Sequence, residues 1–334
     1  MLASLILVAR PGTSHAFDVQ APMTGYTGDA FADLVVGIPG EDIPDPPSSI
    51  EDAGMIHMIY GFPMGLNAQG NQTFHQDTDW VEDQAEEDDQ MGSALASGDF
   101  NGDGNFDIAI GIPYEDIVVG ATTQVNAGAV HVLYGSDTGG LFVAADQFWN
   151  QASLYVEGSA EYNDQFGRAL AVGNFNGDDY DDLAIGIPYE DFESSPPTIE
   201  NAGSVIVMYG SASGLSPTAV LPDQMWYQGN GIADSVEDYD WFGFALAAGD
   251  FDNDNYDDLA IGLPYDSCNA AGDGSVIVIY GSNVYFSYPQ RWCQSGNLVD
   301  QGEADDHFGL ALAALPSTGA LPFRVYLPIC MRDD

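Results

Sequence analysis

Aspartate and asparagine recur at every second position in three short stretches of the chain: GDFNGDGNFDIAIGIPYED at residues 98–116, GNFNGDDYDDLAIGIPYED at 173–191 and GDFDNDNYDDLAIGLPYDS at 249–267. Closely spaced oxygen donors on a backbone able to curl are what a hard divalent cation needs. Counting the first Asp or Asn as position 1, the side chains at positions 1, 3, 5 and 9 can converge with the carbonyl at position 7. The first stretch then offers Asp99, Asn101, Asp103 and Asp107 with the Asn105 carbonyl. The second offers Asn174, Asn176, Asp178 and Asp182 with the Tyr180 carbonyl, and the third Asp250, Asp252, Asp254 and Asp258 with the Tyr256 carbonyl. Ca²⁺ accepts about six to eight such oxygens in a flexible shell, whereas Mg²⁺ demands a stricter octahedron. Soft metals want Cys or His, and these loops have neither. Positions 4 and 6 are Gly102/Gly104, Gly177/Asp179 and Asn253/Asn255, residue types that tolerate left-handed backbone. The same composition also suits Asx-rich turns without metal, but three copies in phase favour the cation.

The elements that must position these loops follow from the repeat, whose loops begin 75 and then 76 residues apart. A Gly-x-Pro step occurs at 37–39, 111–113, 186–188 and 262–264. A Phe-Gly step (once Met-Gly) occurs at Met91, Phe166, Phe242 and Phe308. Each unit reads as four short strands, a to d. Strand a precedes the loop and b follows it; c covers 54–61, 128–135, 203–210 and 274–281; d carries Gln-x-aromatic-x-Gln. In strand b, Leu183, Ile185 and Ile187 face one way while Ala184 and Gly186 face the other, and strand c is apolar throughout. A sheet apolar on both faces must be covered on both faces, as in the stacked blades of a propeller. The expected fold is therefore an all-β propeller of four four-stranded blades, each about 75 residues long. The first unit lacks strand a and the chain ends with a lone strand a at 308–314, so pairing them would close the ring. The first unit's loop is degenerate, with Gly25, Thr27, Asp29, Asp33 and the non-permissive Ala30, and is expected to hold an ion weakly or not at all. Domains are expected at 1–20 (an apolar strand segment), 21–315 (the propeller) and 316–334 (a C-terminal strand or tail).

Composition excludes several functions. With 52 acidic residues and only five Lys+Arg in 334, the formal charge is −47, which repels nucleic acid and anionic membrane surfaces. Three divalent ions would leave about −41, so ions act locally and most of the charge is solvated. No run approaches the roughly 18 apolar residues of a membrane-spanning helix. Nor is there a Gly-x-Ser-x-Gly, His-Glu-x-x-His or phosphate-loop signature. His57 and His131 share a strand c position with Ile206 and Ile277, which points to packing.

The order FG…A-x-G-[DN]-F-[ND]-x-D…D-[LI]-A-I-G-[IL]-P, running from about residue 26 to 314, resembles the FG-GAP repeat of the integrin α-chain N-terminal propeller and its bacterial secreted relatives. The resemblance implies Ca²⁺ in the three loops, an extracellular or cell-surface setting and a role in adhesion or assembly. Integrin-type propellers have seven shorter blades and can carry an inserted metal-dependent adhesion domain, which is not present here. Their ligand-binding loops are therefore not carried over.

Remaining features fall outside the repeat. Acidic residues precede each Phe-Gly step (Glu86 to Asp89, Glu161/Asp164, Glu237/Asp238/Asp240, Glu303/Asp305/Asp306) and follow each Gly-x-Pro step (Glu41/Asp42, Glu115/Asp116, Glu190/Asp191, Asp266). They read as a solvated acidic rim, the alternative being further divalent sites or a cation-bridged interface. Cys268 and Cys293 are candidates for a disulfide, the alternative being two buried thiols. Asn71 heads the single N-glycosylation sequon. Residues 2–9 read as a retained apolar strand, the alternative being a truncated secretory signal. Together with 321–331 they can form a small accessory sheet or donate strands to a neighbour, and head-to-tail donation makes a filament or homo-oligomer. The expected function is a non-enzymatic, calcium-stabilised extracellular structural or adhesive module that self-assembles through these strands. The alternatives are a monomeric module binding a glycan or protein ligand and a secreted hydrolase with its site in the acidic rim.

Overall fold

Short apolar runs broken by Gly and Pro cannot sustain helices, and the chain satisfies its backbone by pairing strands. A computed structural model describes residues 4–7, 31–79, 81–136, 141–192, 198–217, 222–232, 235–268, 270–283, 286–294, 298 and 301–315, and among these no helix occurs. Four four-stranded antiparallel sheets follow one another along the chain. The first contains β1 (Ser4–Leu7), β2 (Leu34–Ile38), β5 (Met55–Phe62) and β6 (Gly65–Phe74), with the ribbon β3 (Ile43–Asp45) and β4 (Ser48–Ile50) between β2 and β5. The second contains β7 (Ala94–Gly98), β8 (Asp107–Ile112), β11 (Ala129–Gly135) and β12 (Leu141–Trp149), with the ribbon β9 (Ile117–Val119) and β10 (Thr122–Gln124). The third is β13 (Ala169–Gly173), β14 (Asp182–Ile187), β15 (Ser204–Met208) and β16 (Gln224–Trp226). The fourth is β17 (Ala245–Gly249), β18 (Asp258–Leu263), β19 (Ser275–Tyr280) and β20 (Ser287–Trp292).

The core lies between sheets. Leu183, Ile185 and Ile187 pack with Ile206 and Met208 against Ala109, Val130 and Val132 of the second sheet. The opposite face of the third sheet, Ala184 with Val205 and Val207, receives Leu259, Ile261 and Leu263 of the fourth. Large side chains of one sheet thus fill the space left by small ones on the preceding sheet, the interdigitation that dense packing requires. Strand a of successive sheets lies side by side, β1 near β7, β7 near β13 and β13 near β17.

The Phe-Gly step is the hinge of each junction. Met91, Phe166 and Phe242 are fully buried between sheets. Gly243 donates its N–H to the Gly262 carbonyl at 3.2 Å. On its other side, a Cβ on Gly186 would lie 2.1 Å from the Gly243 oxygen, so only glycine permits this approach.

Ring closure by 308–314 is not what the structure shows. The edge of β2 is already paired with β1, Ser4 opposite Gly37 through Leu7 opposite Leu34. Phe308 donates its N–H to the Asp273 carbonyl at 2.9 Å and, with Leu312, packs on Ala260, Val276 and Val278 of the fourth sheet. The docking of this Phe-Gly step on the preceding sheet matches the earlier three; the physical reason that no pairing with β2 follows is that β1 already holds that edge. Within residues 2–9, Ser4–Leu7 completes its own chain's first sheet instead of standing apart from the repeat. Residues 321–331 lie outside the described residues.

Candidate metal centres

Each connection from strand a to strand b curls because its own carboxylates collect its N–H groups. In the loop from β7 to β8, Asp99 accepts from the N–H of Asp103 (3.0 Å) and of Gly104 (2.9 Å). Asn101 Oδ1 accepts from the Asp103 N–H at 2.9 Å, and Asp103 Oδ1 from the Asn105 N–H at 2.8 Å. The loop from β17 to β18 repeats the pattern: Asp250 takes the N–H groups of Asp254 and Asn255, both at 3.1 Å, and Asp254 takes that of Tyr256 at 2.9 Å. Here Asp250, Asp252 and Asp254 each bring an oxygen within 4.8 Å of the others. Oxygens sharing a Ca²⁺ at its usual bond length stand no more than about 5 Å apart, so the donor set fits that ion.

The loop from β13 to β14 is built differently. Asn174 offers one acceptor oxygen, which takes the Gly177 N–H at 2.7 Å, while its Nδ2 donates to the Asp178 carbonyl at 2.5 Å. The backbone differs accordingly. Gly102, Gly104, Gly177, Asn253 and Asn255 all have φ between 64° and 90°, but Asp179, the remaining residue expected to be left-handed, does not. Asn176 Oδ1 still accepts from the Asp178 N–H at 2.9 Å, and Asp178 Oδ1 from the Tyr180 N–H at 2.8 Å.

Position 9 has a second duty that its spacing did not announce. Asp107 accepts from the N–H of Phe100 (2.9 Å) and of Gly135 (3.0 Å). Asp182 accepts from Phe175 (2.9 Å) and Gly210 (3.0 Å), and Asp258 from Phe251 (2.7 Å) and Gly281 (2.9 Å). In the degenerate first unit Asp33 keeps the strand c bond, to Gly61 at 2.8 Å, although Gly25, Thr27, Asp29 and Ala30 lie outside the described residues. This carboxylate ties the loop to strand c. It retains further lone pairs for an ion.

Position 8 was missed entirely. Asp181 Oδ2 accepts from the Asp99 N–H of the preceding loop at 2.9 Å, and Asp257 Oδ2 from the Asn174 N–H at 2.9 Å. The only sequence sign was an extra Asp before the position 9 Asp in two loops, where the first of the three has Phe106. Rings at position 7 reinforce the link, since a Cβ on Gly102 would meet the Tyr180 ring at 2.8 Å.

Burial pushes the Asp107 carboxyl up to about 8 and that of Asp258 up to about 6, and raises Asp182 well above the usual carboxylate range. Asp252 is raised by desolvation and by the neighbouring Asp254 and Asp250. Carboxylates crowded in this way favour a bound proton or a bound cation.

The other expected site residues are scattered. Asn71 is exposed on β6, its amide against His57. Cys268 and Cys293 are joined as a disulfide with Cα atoms 6.1 Å apart. The acidic residues beside the Phe-Gly and Gly-x-Pro steps are in part buried: Asp89, Glu115, Asp164, Glu190, Asp240 and Asp266 each expose 5% or less.

A family model described as FG-GAP repeat matches residues 91–133, 166–208 and 242–279. Each match opens on the Phe-Gly or Met-Gly step and runs through the loop into strand c. The chain is an FG-GAP repeat protein. Its repeats resemble those of integrin alpha chains. Integrin alpha-PS2 of Drosophila melanogaster is 30% identical over 229 residues, covering 68% of this chain and 14% of the relative. Integrin alpha pat-2 of Caenorhabditis briggsae is 33% identical over 223 residues, 64% and 15% respectively. Phosphatidylinositol-glycan-specific phospholipase D of Bos taurus is 30% identical over 221 residues, 65% and 24% respectively. The chain thus spans less than a quarter of the length of these relatives. Among the described residues of the FG-GAP protein, no helix is long and apolar enough to cross a membrane.

Proposed function

We propose that this FG-GAP protein is a non-enzymatic, Ca²⁺-stabilised extracellular β-propeller module that serves adhesion or structure, presenting its loops to a protein or glycan. One observation carries the proposal. Three loops are linked one to the next through Asp181 and Asp257, and in one of them three carboxylates converge on a volume the size of a Ca²⁺ shell. Asp99, Asn101 and Asp103 would hold the ion in the first loop, Asn174, Asn176 and Asp178 in the second, and Asp250, Asp252 and Asp254 in the third, with Asp107, Asp182 and Asp258 behind them. The ion would supply charge neutralisation and rigidity, not chemistry on a substrate.

The relatives fit a module. The same repeats match integrin alpha chains and a phospholipase D, as expected of a unit shared by proteins of different activity. Assembly through 2–9 forms no part of the proposal, because Ser4–Leu7 is spent within its own sheet. The test is thermal unfolding of the full chain in Ca²⁺ and in EGTA, beside the variant D103N/D178N/D254N. EGTA should lower the transition of the native sequence and leave the variant's unmoved. An equal transition in both media for the native sequence would overturn a stabilising role for calcium.

A further inference from the structure

We infer that the chain holds a second class of divalent-cation site, at the sheet junctions, built from Glu86, Asp89 and Glu115 with Gln76, and repeated at Glu161, Asp164 and Glu190 with Gln151. These residues sit beyond the far end of strand b from the Asp-rich loops, about 20 Å away for a strand of six residues.

The first cluster brings one oxygen from each of Glu86, Asp89 and Glu115 within 4.8 Å of the others. Asp89 and Glu115 are only 1% and 2% exposed. Gln76, itself 1% exposed, lies against both acids: its Nε2 donates to Glu115 at 2.6 Å and its amide also bonds Asp89. Its Oε1 has no hydrogen-bond partner, although it is buried. Turning the Gln76 amide over would bring this orphaned oxygen to the three carboxylates and complete an all-oxygen donor set for a hard cation. The next junction carries the same residue types, although its three acids are not drawn within 4.8 Å of one another. Gln151 is 3% exposed, donates to Glu190 at 2.5 Å and leaves Oε1 without a partner, while Asp164 accepts from the Glu161 N–H at 2.7 Å. An open cleft of about 370 Å³ lined by Glu115, Asp83, Asp116 and Phe148 provides an entry path.

The third junction explains what the first two require. Asp266 stands where the others have Glu115 and Glu190, and it is paired with the Arg291 guanidinium. Arg291 lies opposite Ile277 on strand d, and the matching positions are Phe148, opposite His131, and Met225, opposite Ile206. Among the described residues no ion pair reaches Glu115 or Glu190. One junction carries its cation covalently, and the other two recruit theirs from solution.

The experiment counts bound Ca²⁺, supplied alone, on the full chain by equilibrium dialysis and calorimetric titration. Four variants are compared with the native sequence: E115Q, E190Q, M225R (which copies Arg291) and the loop variant D103N/D178N/D254N. E115Q and E190Q should each lose one equivalent. M225R should lose the same equivalent as E190Q, with a higher melting temperature than the native sequence in EGTA. The loop variant should keep two equivalents. If E115Q and E190Q keep the native count, or if the loop variant binds none, the junction sites do not exist. A loop variant with the native count would instead refute the calcium-loop function and leave the junction sites standing.

Discussion

Two groups of carboxylates flank the same strands and are treated in opposite ways. At the loop end, Asp103, Asp252 and Asp254 are exposed, and acids such as Asp99, Asp103, Asp250 and Asp254 are held by N–H groups of their own loop. At the junction end, Asp89, Glu115, Asp164 and Glu190 are buried; Asp89 and Asp164 take an N–H three residues away, but Glu115 and Glu190 depend on distant partners, Gln76 and Gln151, each across 39 residues. Local partners make a loop whose shape survives with or without its ion. Distant partners make a site that exists only once the sheets have stacked. The loop end is thus preorganised, while the junction end couples its charge to assembly of the fold.

The largest expected effect separates a carboxylate that serves the backbone from one that serves a counter-charge. Asp182→Ala strands the buried N–H groups of Phe175 and Gly210 and should cost about 3 kcal/mol, since each orphaned donor costs about 1–3 kcal/mol. Glu190→Gln keeps an amide oxygen toward Gln151 and removes only a charge, so in EGTA it should cost nothing or stabilise. Urea unfolding of both variants measures the contrast. Equal losses would show that both ends are structural in the same sense.

The second effect is a pH dependence at the junctions. The folded values, about 9 for Asp164 and about 8 for Glu190, lie above those of ordinary carboxyls, so the folded state binds more protons than the unfolded one between about pH 4 and 9. Stability is therefore fully present below pH 4 as far as these groups are concerned and falls as pH rises through that window, on the order of 1 kcal/mol per pH unit per group. In EGTA the melting temperature should drop from pH 5 to pH 8. In Ca²⁺ the drop should shrink, because the ion replaces the proton. A metal-free protein more stable at pH 8 than at pH 5 would break the contrast.

Legibility in the sequence divides along the same line. The loops were readable because their donors lie within nine residues of one another and recur in phase. The four sheets were readable from the Ile/Ala alternation of strand b and the Gly that opens each strand c. What escaped depends on contacts far apart in the chain. Asp181 caps a loop 82 residues earlier, and nothing near it in sequence says so. The alternating pattern announced Asp107 as a ligand and concealed its bond to Gly135, 28 residues on. The solvated rim reads from charge runs, yet Asp89, Glu115, Asp164, Glu190, Asp240 and Asp266 turn inward, and for Glu115 and Glu190 the partners are Gln76 and Gln151 of the preceding sheet. Closure by 308–314 failed for a related reason: β1 lies in a stretch with no repeat signature, so its claim on the edge of β2 was invisible.

A smaller effect tests the link between neighbouring loops. Asp257→Ala removes the acceptor for the Asn174 N–H and should cost about 1 kcal/mol. Its consequence should appear in the β13–β14 loop, one sheet away, as faster amide exchange at Asn174. Exchange unchanged at Asn174 would mean that each loop stands alone.

The smallest effect on stability, and the sharpest on the loops themselves, is Asn174→Asp. Asp99 and Asp250 each collect two N–H groups with two oxygens, whereas Asn174 has one oxygen and spends its amide on the Asp178 carbonyl. Aspartate restores the second acceptor, frees that carbonyl and adds a charged ligand, and ligand charge count is what tunes affinity in such loops. Ca²⁺ should bind this loop more tightly by on the order of tenfold, about 1.4 kcal/mol, with little change in metal-free stability. Calorimetric titration of N174D resolves it. If the affinity does not rise, the Asn is no handicap, and the differing backbone at Asp179 is an equivalent way to hold the ion.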